Sequence, residues 1–533
     1  MRKITMLVIA AFAVTSAAAQ FNPQQPIPAD KDVRTGKLEN GMTYYIRHNE
    51  KPKGQADFHI LHDVGAIQEN DAQQGLAHFL EHMAFNGTKN LPGKQMIEYL
   101  EKVGVKFGAN LNAGTSWDMT SYMMKDVPTS REGIIDSALL ILHDWSHFIA
   151  LQPEEIDSER GVIMEELRTR DNASWRSTMK MLQALGTGPK YEHRNLIGYL
   201  DGLKGFQHKE LEDFYNTWYR PDYQAVVIVG DIDVDAVENK LKTLMSDIPA
   251  PAADAAQKEV ITVPDNEEPI VSIYTDPEMQ GSRVQVFVKR PAVPEQYNNL
   301  VYGEMLDVVQ AYMTTMENAR LQEISMQPDA PFLGAGMNSG SIGVIPTLEA
   351  TTFVAMTQDG KLARGFETLY TEMEKVRRYG SRRASSNAPR RPDARPNAVR
   401  QPQRPPQQRV RADLSEQLPE KPADARCRDR WGSSDSMLIK MLNVMPSTPS
   451  RSRPFSRNQV IVSRPEKEGV VTPTPRSSRH PRQSGATESR YEDNVVKEPL
   501  MQKDRERLAR KKTVEDKQLG TTEWTLANGV KVS

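Results

Sequence analysis

The chain has 533 residues, too many for a single hydrophobic core, and about three domains are expected from that length. Its 68 basic and 70 acidic residues nearly cancel, which excludes a global electrostatic pull toward nucleic acid or an acidic partner. A single cysteine, Cys427, excludes an internal disulfide.

At the start, Arg2 and Lys3 precede the apolar run Ile4 to Val14, and the small residues Ser16-Ala17-Ala18-Ala19 follow. A basic start, a short apolar core and small residues before the cut read as a secretory signal peptide, residues 1–19. The run is too short for a membrane span, so no integral span is expected in the mature chain. An exported protein of this size without disulfides fits a bacterial periplasm or cell surface. Residues 20–34 form a leader containing several prolines.

Leu38-Glu39-Asn40-Gly41-Met42 reads as a hairpin turn feeding a strand through Ile46, and Gln55 to Val64 reads as a second strand. The stretch Gly75 to Phe85 then places His78 and His82 four residues apart, on one face of a helix. Glu81 sits one turn after His78 on the same side. Two neutral imidazoles and a nearby carboxylate suit a zinc site with one position left open for water. The order H-x-x-E-H reverses the commoner H-E-x-x-H and is the inverzincin signature. The bland alternative is a helix that happens to carry two histidines.

Leu91-Pro92-Gly93 opens a helix reaching Val103, and Gly108 to Met124 turns from a Gly- and Asn-bounded segment into an alternating strand. Taken alone, that strand is an ordinary sheet edge. Gly133 to Leu151 reads as an amphipathic helix whose His143 and His147 are again four apart, but no carboxylate lies between them. With Trp145, Phe148 and Ile149 around them, these two are expected in the core or at its rim rather than on a metal.

Pro153 to Arg170 reads as a helix carrying Glu159, Glu165 and Glu166, any of which can supply a third ligand. Residues seven apart return to almost the same face, while residues six apart are displaced by roughly 120°. Glu159 and Glu166 therefore look one way and Glu165 another. If Glu159 supports the site from behind, Glu166 is the better ligand. A charged solvent-facing helix is the competing reading, and helical spacing does not choose between them.

A helix from Glu210 to Tyr219 stopped by Arg220-Pro221, a strand from Ala225 to Val229 and a helix from Val234 to Leu244 close a first domain, residues 35–255. Residues 256–379 make a second unit. Strands are expected at Ile270 to Tyr274, Arg283 to Lys289 and Ala350 to Met356, with helices at Tyr297 to Ile324 and Leu362 to Arg378. This unit repeats the vocabulary of the first without an H-x-x-E-H.

From Leu38 to Arg378 these motifs resemble the pitrilysin family of zinc peptidases, which includes insulin-degrading enzyme and mitochondrial processing peptidase. His78-Phe79-Leu80-Glu81-His82 is similar to the family's zinc box, and Glu159 to Glu166 to its downstream glutamate helix. The resemblance implies an α+β fold of homologous domains, each a mainly antiparallel sheet covered by helices. It implies one Zn2+ per chain held by His78, His82 and Glu166, with Glu81 as general base and Glu159 as a supporting carboxylate of the catalytic set. Asn112-Ala113 resemble the edge strand that pairs with substrate backbone. The implied activity is hydrolysis of peptide bonds in peptides or unfolded polypeptides. The alternative is a non-catalytic peptide-binding or assembly subunit with the same fold.

Residues 380–515 depart from that pattern. Between Arg382 and Arg411 there are nine arginines, no lysine and one acid, Asp393, a composition that cannot bury a core. It reads as disordered or as translation in a shifted frame, with Asn458 to Val462 returning to ordinary domain sequence. Leu526-Ala527-Asn528-Gly529-Val530 repeats the pattern of Leu38 to Met42, so residues 516–533 read as the start of a truncated third domain. The family's second half supplies an Arg and a Tyr that help hold the reacting carbonyl, and no position here matches them. The expected partners are a peptide or unfolded polypeptide and a second chain supplying the missing half, with no nucleic acid.

Overall fold

The structure is a computed structural model that describes residues 23–188, 190–279, 281–379, 457–464, 510–516, 521–526 and 531–532. The expected signal peptide and nearly all of 380–509 lie outside the described residues. The first sheet takes strands β1 (Val33–Lys37), β2 (Thr43–His48), β3 (Gln55–His62), β4 (Leu111–Thr115), β5 (Thr120–Pro128) and β6 (Gln224–Gly230). Their order is β1-β2-β6-β3-β5-β4, antiparallel throughout except for the parallel pair β2–β6. Helices α1 (Leu76–Met83), α2 (Gln95–Lys102), α3 (Ile134–His147), α4 (Pro153–Arg170), α5 (Ala173–Leu185), α6 (Leu200–Gly205), α7 (His208–Trp218) and α8 (Val234–Leu244) accompany it.

Alternation explains the covered face. In β3 and β5, Phe58, Ile60, Tyr122 and Met124 join Phe79, Leu80 and Trp145 of the helices in one buried cluster. Each such side chain contributes about 1.5–3 kcal/mol on leaving water. The expected helix over Gly133 to Leu151 stops at His147, because the next backbone turns out to pair Ile149 with Thr88.

The second sheet has order β7-β11-β8-β10-β9, from β7 (Ile270–Ile273), β8 (Ser282–Pro291), β9 (Gly334–Ser341), β10 (Leu348–Thr357) and β11 (Gln459–Arg464), with α9 (Val301–Ser325) and α10 (Leu362–Tyr379). Strand β11 falls within 380–515, where Asn458 to Val462 read as ordinary domain sequence. Residues 459–464 do not stand outside the second domain but lie between β7 and β8, parallel to the first and antiparallel to the second. Their Val460, Ile461 and Val462 are buried, which is why an apolar run there joins a sheet.

The leader is also not separate. Ile27 N–H donates to Asn299 O at 2.8 Å and Val301 N–H to Gln25 O at 2.9 Å, tying residues 25–27 to the start of α9. A second compact unit holds a three-stranded antiparallel sheet of β12 (Arg510–Asp516), β13 (Thr521–Leu526) and β14 (Lys531–Val532). Its first strand begins at Arg510, ahead of the expected boundary at 516. Among the described residues no helix is long and apolar enough to cross a membrane.

Candidate metal centre

Helix α1 is fixed at both ends. Its N-terminus starts at Gly75, with φ of 93°, where a Cβ would lie 2.6 Å from Ile197 O. The buried Glu69 carboxylate accepts from Gly75 N–H at 3.1 Å and Ala77 N–H at 2.9 Å, satisfying donors that the helix itself leaves open. Burial pushes the Glu69 carboxyl up to about 8, against the pull of those N–H groups and Arg194. At the other end, Trp145 Nε1–H donates to Ala84 O at 3.1 Å.

Helix α4 crosses beside α1. Ile156 and Ile163 are buried on it, and Glu159 and Glu166 fall in the same stripe, partly buried. Arg160 holds the helix in place by donating to Leu203 O at 2.8 Å and Phe206 O at 2.9 Å. Its guanidinium also lies over the Phe206 ring, which in turn packs edge-on against Phe79 of α1. Glu165 faces solvent and pairs with Arg168 at 2.5 Å.

His78, His82 and Glu166 each offer a donor atom, and the three atoms lie within 4.8 Å of one another. Glu166 Oε2 is 3.6 Å from His78 Nε2 and 3.2 Å from His82 Nε2. Two imidazole nitrogens and one carboxylate oxygen on two packed helices fit zinc, with room for a fourth ligand. Behind them, Glu159 Oε1 is 2.8 Å from His82 Nδ1, and Glu159 Oε2 accepts from Asn86 Nδ2 at 2.6 Å. A carboxylate only accepts, so the proton sits on Nδ1 and Nε2 faces the cluster. Lys94 Nζ donates to Asn86 Oδ1, extending the chain of contacts outward.

Burial opposes the charge on His82, but its hydrogen bonds to Glu159 and Glu166 outweigh it and push it up to about 9. Burial, then the neighbouring His82, holds His78 down to about 4. The His82 hydrogen bond keeps Glu166 below the ordinary carboxylate range, with His78 and Arg170 adding to it. Burial raises Glu81, and Thr115 Oγ1–H pulls the other way by donating to Glu81 Oε2 at 2.6 Å.

Asn112 and Ala113 lie on β4, at the free edge of the first sheet and beside α1. Asn112 is exposed, and its Nδ2 donates to Gly108 O at 3.3 Å. His143 and His147 stand elsewhere. His143 bridges Asp144 at 3.0 Å and Asp247 at 2.8 Å, and His147 Nδ1 is 3.2 Å from Tyr219 O. The contacts of Thr115 with Glu81 and of Asn86 with Glu159 join residues that only the fold brings together, while those of Lys94 and Glu69 are short-range but pass through turns that helical spacing does not describe.

Residues 44–196 match the family model described as insulinase, peptidase family M16, and residues 205–325 match the M16 inactive domain. The chain belongs to the M16 family of peptidases. It is 30% identical over 356 residues to a probable zinc protease PqqL of Escherichia coli, covering 66% of this chain and 37% of that protein. It is 32% identical over 317 residues to a zinc protease PQQL-like protein of Arabidopsis thaliana, covering 59% and 32%. The chain thus spans about a third of the length of these relatives. The crystal structure of the periplasmic protease PqqL from Escherichia coli superposes with a TM-score of 0.73 at 24% identity, over 95% of this chain and 56% of that one. Pitrilysin superposes with a TM-score of 0.58 at 17% identity, over 83% and 47%. These two likenesses establish the α+β fold.

Proposed function

We propose that this chain carries the centre of a zinc-dependent metalloendopeptidase that hydrolyses peptide bonds in peptides or unfolded polypeptides. The observation that carries the reading is the convergence of His78, His82 and Glu166 within 4.8 Å, with Glu81 on the same helix as both histidines. Zinc bound there supplies a Lewis acid that acidifies water and polarises a carbonyl. Glu81, raised by burial, takes the proton from the attacking water as it adds to the peptide carbonyl. It returns that proton to the departing amine as the C–N bond breaks, so one water yields a carboxyl and an amine. Glu159 orients His82, and the free edge of β4 at Asn112 and Ala113 offers backbone groups to an extended substrate.

The domain reading consists of a catalytic unit over 35–255 and a second, non-catalytic unit over 256–379 that is completed by β11. The sequence signals at residues 1–19 and the relationship to PqqL support export to a bacterial periplasm or cell surface. A second reading, a non-catalytic peptide-binding or assembly subunit with the same fold, is supported by the match of residues 205–325 to the M16 inactive domain. A second chain is the partner proposed for such a subunit.

Zinc content and hydrolysis of a quenched fluorescent peptide, with and without chelator, test the proposal. Glu81→Gln is expected to keep zinc and lose hydrolysis. A wild-type chain that binds one zinc yet never cleaves supports the non-catalytic subunit. A chain that binds no zinc defeats the metal reading altogether.

A further inference from the structure

In the second sheet, the register of β8 against β11 sets Arg283 opposite Arg464. Cross-strand partners share a face, so two guanidiniums stand on the same side of the sheet, an arrangement that costs stability unless an anion joins them. Neither makes an ion pair among the described residues, and the Nε of each is buried without a hydrogen-bond partner. Burial holds both below the ordinary arginine value, and Arg283 adds to the effect on Arg464. The acids of the β7–β8 connection are already engaged, Asp276 by Arg176 at 2.8 Å and by the Tyr274 hydroxyl at 2.6 Å, and Glu278 by Arg176 at 2.7 Å.

Arg283 also lines a cavity of about 380 Å³ between α5 and this face of the sheet. Met181 and Leu185 of α5 with Phe287 and Val354 of the sheet are among its apolar residues, while Arg283 shares the lining with polar side chains that include Gln285, Asn338 and Thr352. The volume falls in the range that holds a small ligand or a few side chains. A wall that mixes apolar side chains with amides and hydroxyls suits a peptide segment, and the unpaired guanidinium selects one that carries a carboxylate, because the planar fork of arginine binds that group through two parallel hydrogen bonds.

We propose that this cavity binds a peptide segment bearing a carboxylate, with Arg283 as its anchor and Arg464, beside it on the neighbouring strand rather than in the lining, adding to the positive charge. The site belongs to the second domain and needs no metal, so its test stands apart from that of the zinc centre.

The experiment is fluorescence anisotropy on the full chain, in chelator so that no probe is consumed. Three labelled hexapeptides share an apolar sequence: one with a free C-terminal carboxylate, one amidated with an internal Glu, and one amidated with Gln in its place. At least one carboxylate-bearing probe is expected to bind about tenfold or more tighter than the neutral one, and the better of the two identifies the source of the carboxylate. Arg283→Gln is expected to bring that probe to the neutral level, and Arg464→Gln to weaken it less. Equal binding of all three probes, or unchanged binding by a folded Arg283→Gln chain, overturns the proposal. Should the variant fail to fold, the same peptide carrying a photoreactive benzophenone is used on the wild-type chain. Crosslinks at Met181 or Met337 support the site, and crosslinks confined to α1 and β4 overturn it. A single-stranded oligonucleotide that displaces the acidic probe more strongly than unlabelled peptide also overturns it.

Discussion

The Thr115 hydroxyl donates to Glu81 Oε2 at 2.6 Å, so the last residue of the edge strand β4 holds the carboxylate proposed as the general base. A bound peptide that pairs with β4 therefore bears directly on the group that moves the proton. Thr115→Val keeps the shape and removes the donor. In peptide hydrolysis it is expected to lower kcat by roughly 10- to 100-fold with KM and zinc content little changed, and Thr115→Ser is expected to recover most of the loss. A proportional rise in KM instead would place Thr115 in substrate binding.

Glu159 reaches His82 from behind at 2.8 Å and is itself held by Asn86. Glu159→Ala leaves the three ligands in place but frees the His82 ring. Competition with a chromogenic chelator is expected to show zinc affinity lower by roughly 10- to 100-fold.

Glu165 and Glu166 are neighbours in sequence with opposite surroundings. Glu166→Ala is expected to abolish stoichiometric zinc binding, read by metal analysis of the dialysed chain. Glu165→Ala removes only an exposed pair with Arg168 and should change stability by less than about 1 kcal/mol.

Glu69 makes stability depend on pH. Its ordinary value is 4.5 and burial lifts it to about 8, so the folded chain holds a proton that the unfolded chain has already released across that window. The sign follows: this contribution to stability is present below pH 4.5 and is lost as pH rises toward 8, by an amount on the order of a few kcal/mol. Denaturant midpoints measured from pH 5 to 8 are expected to fall in the wild type and to flatten in Glu69→Gln.

Gly75 needs a left-handed backbone conformation and has the carbonyl of Ile197 where a Cβ would stand. Gly75→Ala is expected to cost at least about 2 kcal/mol in chemical denaturation, because strain and collision add.

Much of the site is written locally. His78, Glu81 and His82 lie within one turn and a half of a helix, and Glu159 and Glu166 are seven apart, so helical geometry alone puts each group on its own face. The misleading pair His143 and His147 is separable by the same logic, since the side chains around it are apolar. What spacing cannot reveal is contact between distant segments. Thr115 arrives from the edge strand β4, and Arg283 meets Arg464 only because two strands far apart in the chain become neighbours. The pairing of β11 is hidden for the same reason: a strand is recognised by the partner that completes its ladder, and for β11 that partner lies on the far side of 380–456.

The placement of β11 has a bearing on how this polypeptide behaves when it is cut. Strand β8 meets β7 only through β11, so the piece ending at Tyr379 would carry an open seam where Val286 and Phe287 lose their neighbour. A protease that nicks the backbone between 380 and 456 yields two fragments held together by a shared sheet, which migrate apart in denaturing gel but elute together in native buffer. Expressed separately, the same two pieces form a complementation pair, and the recovery of one by the other measures how much of the second domain rests on six residues.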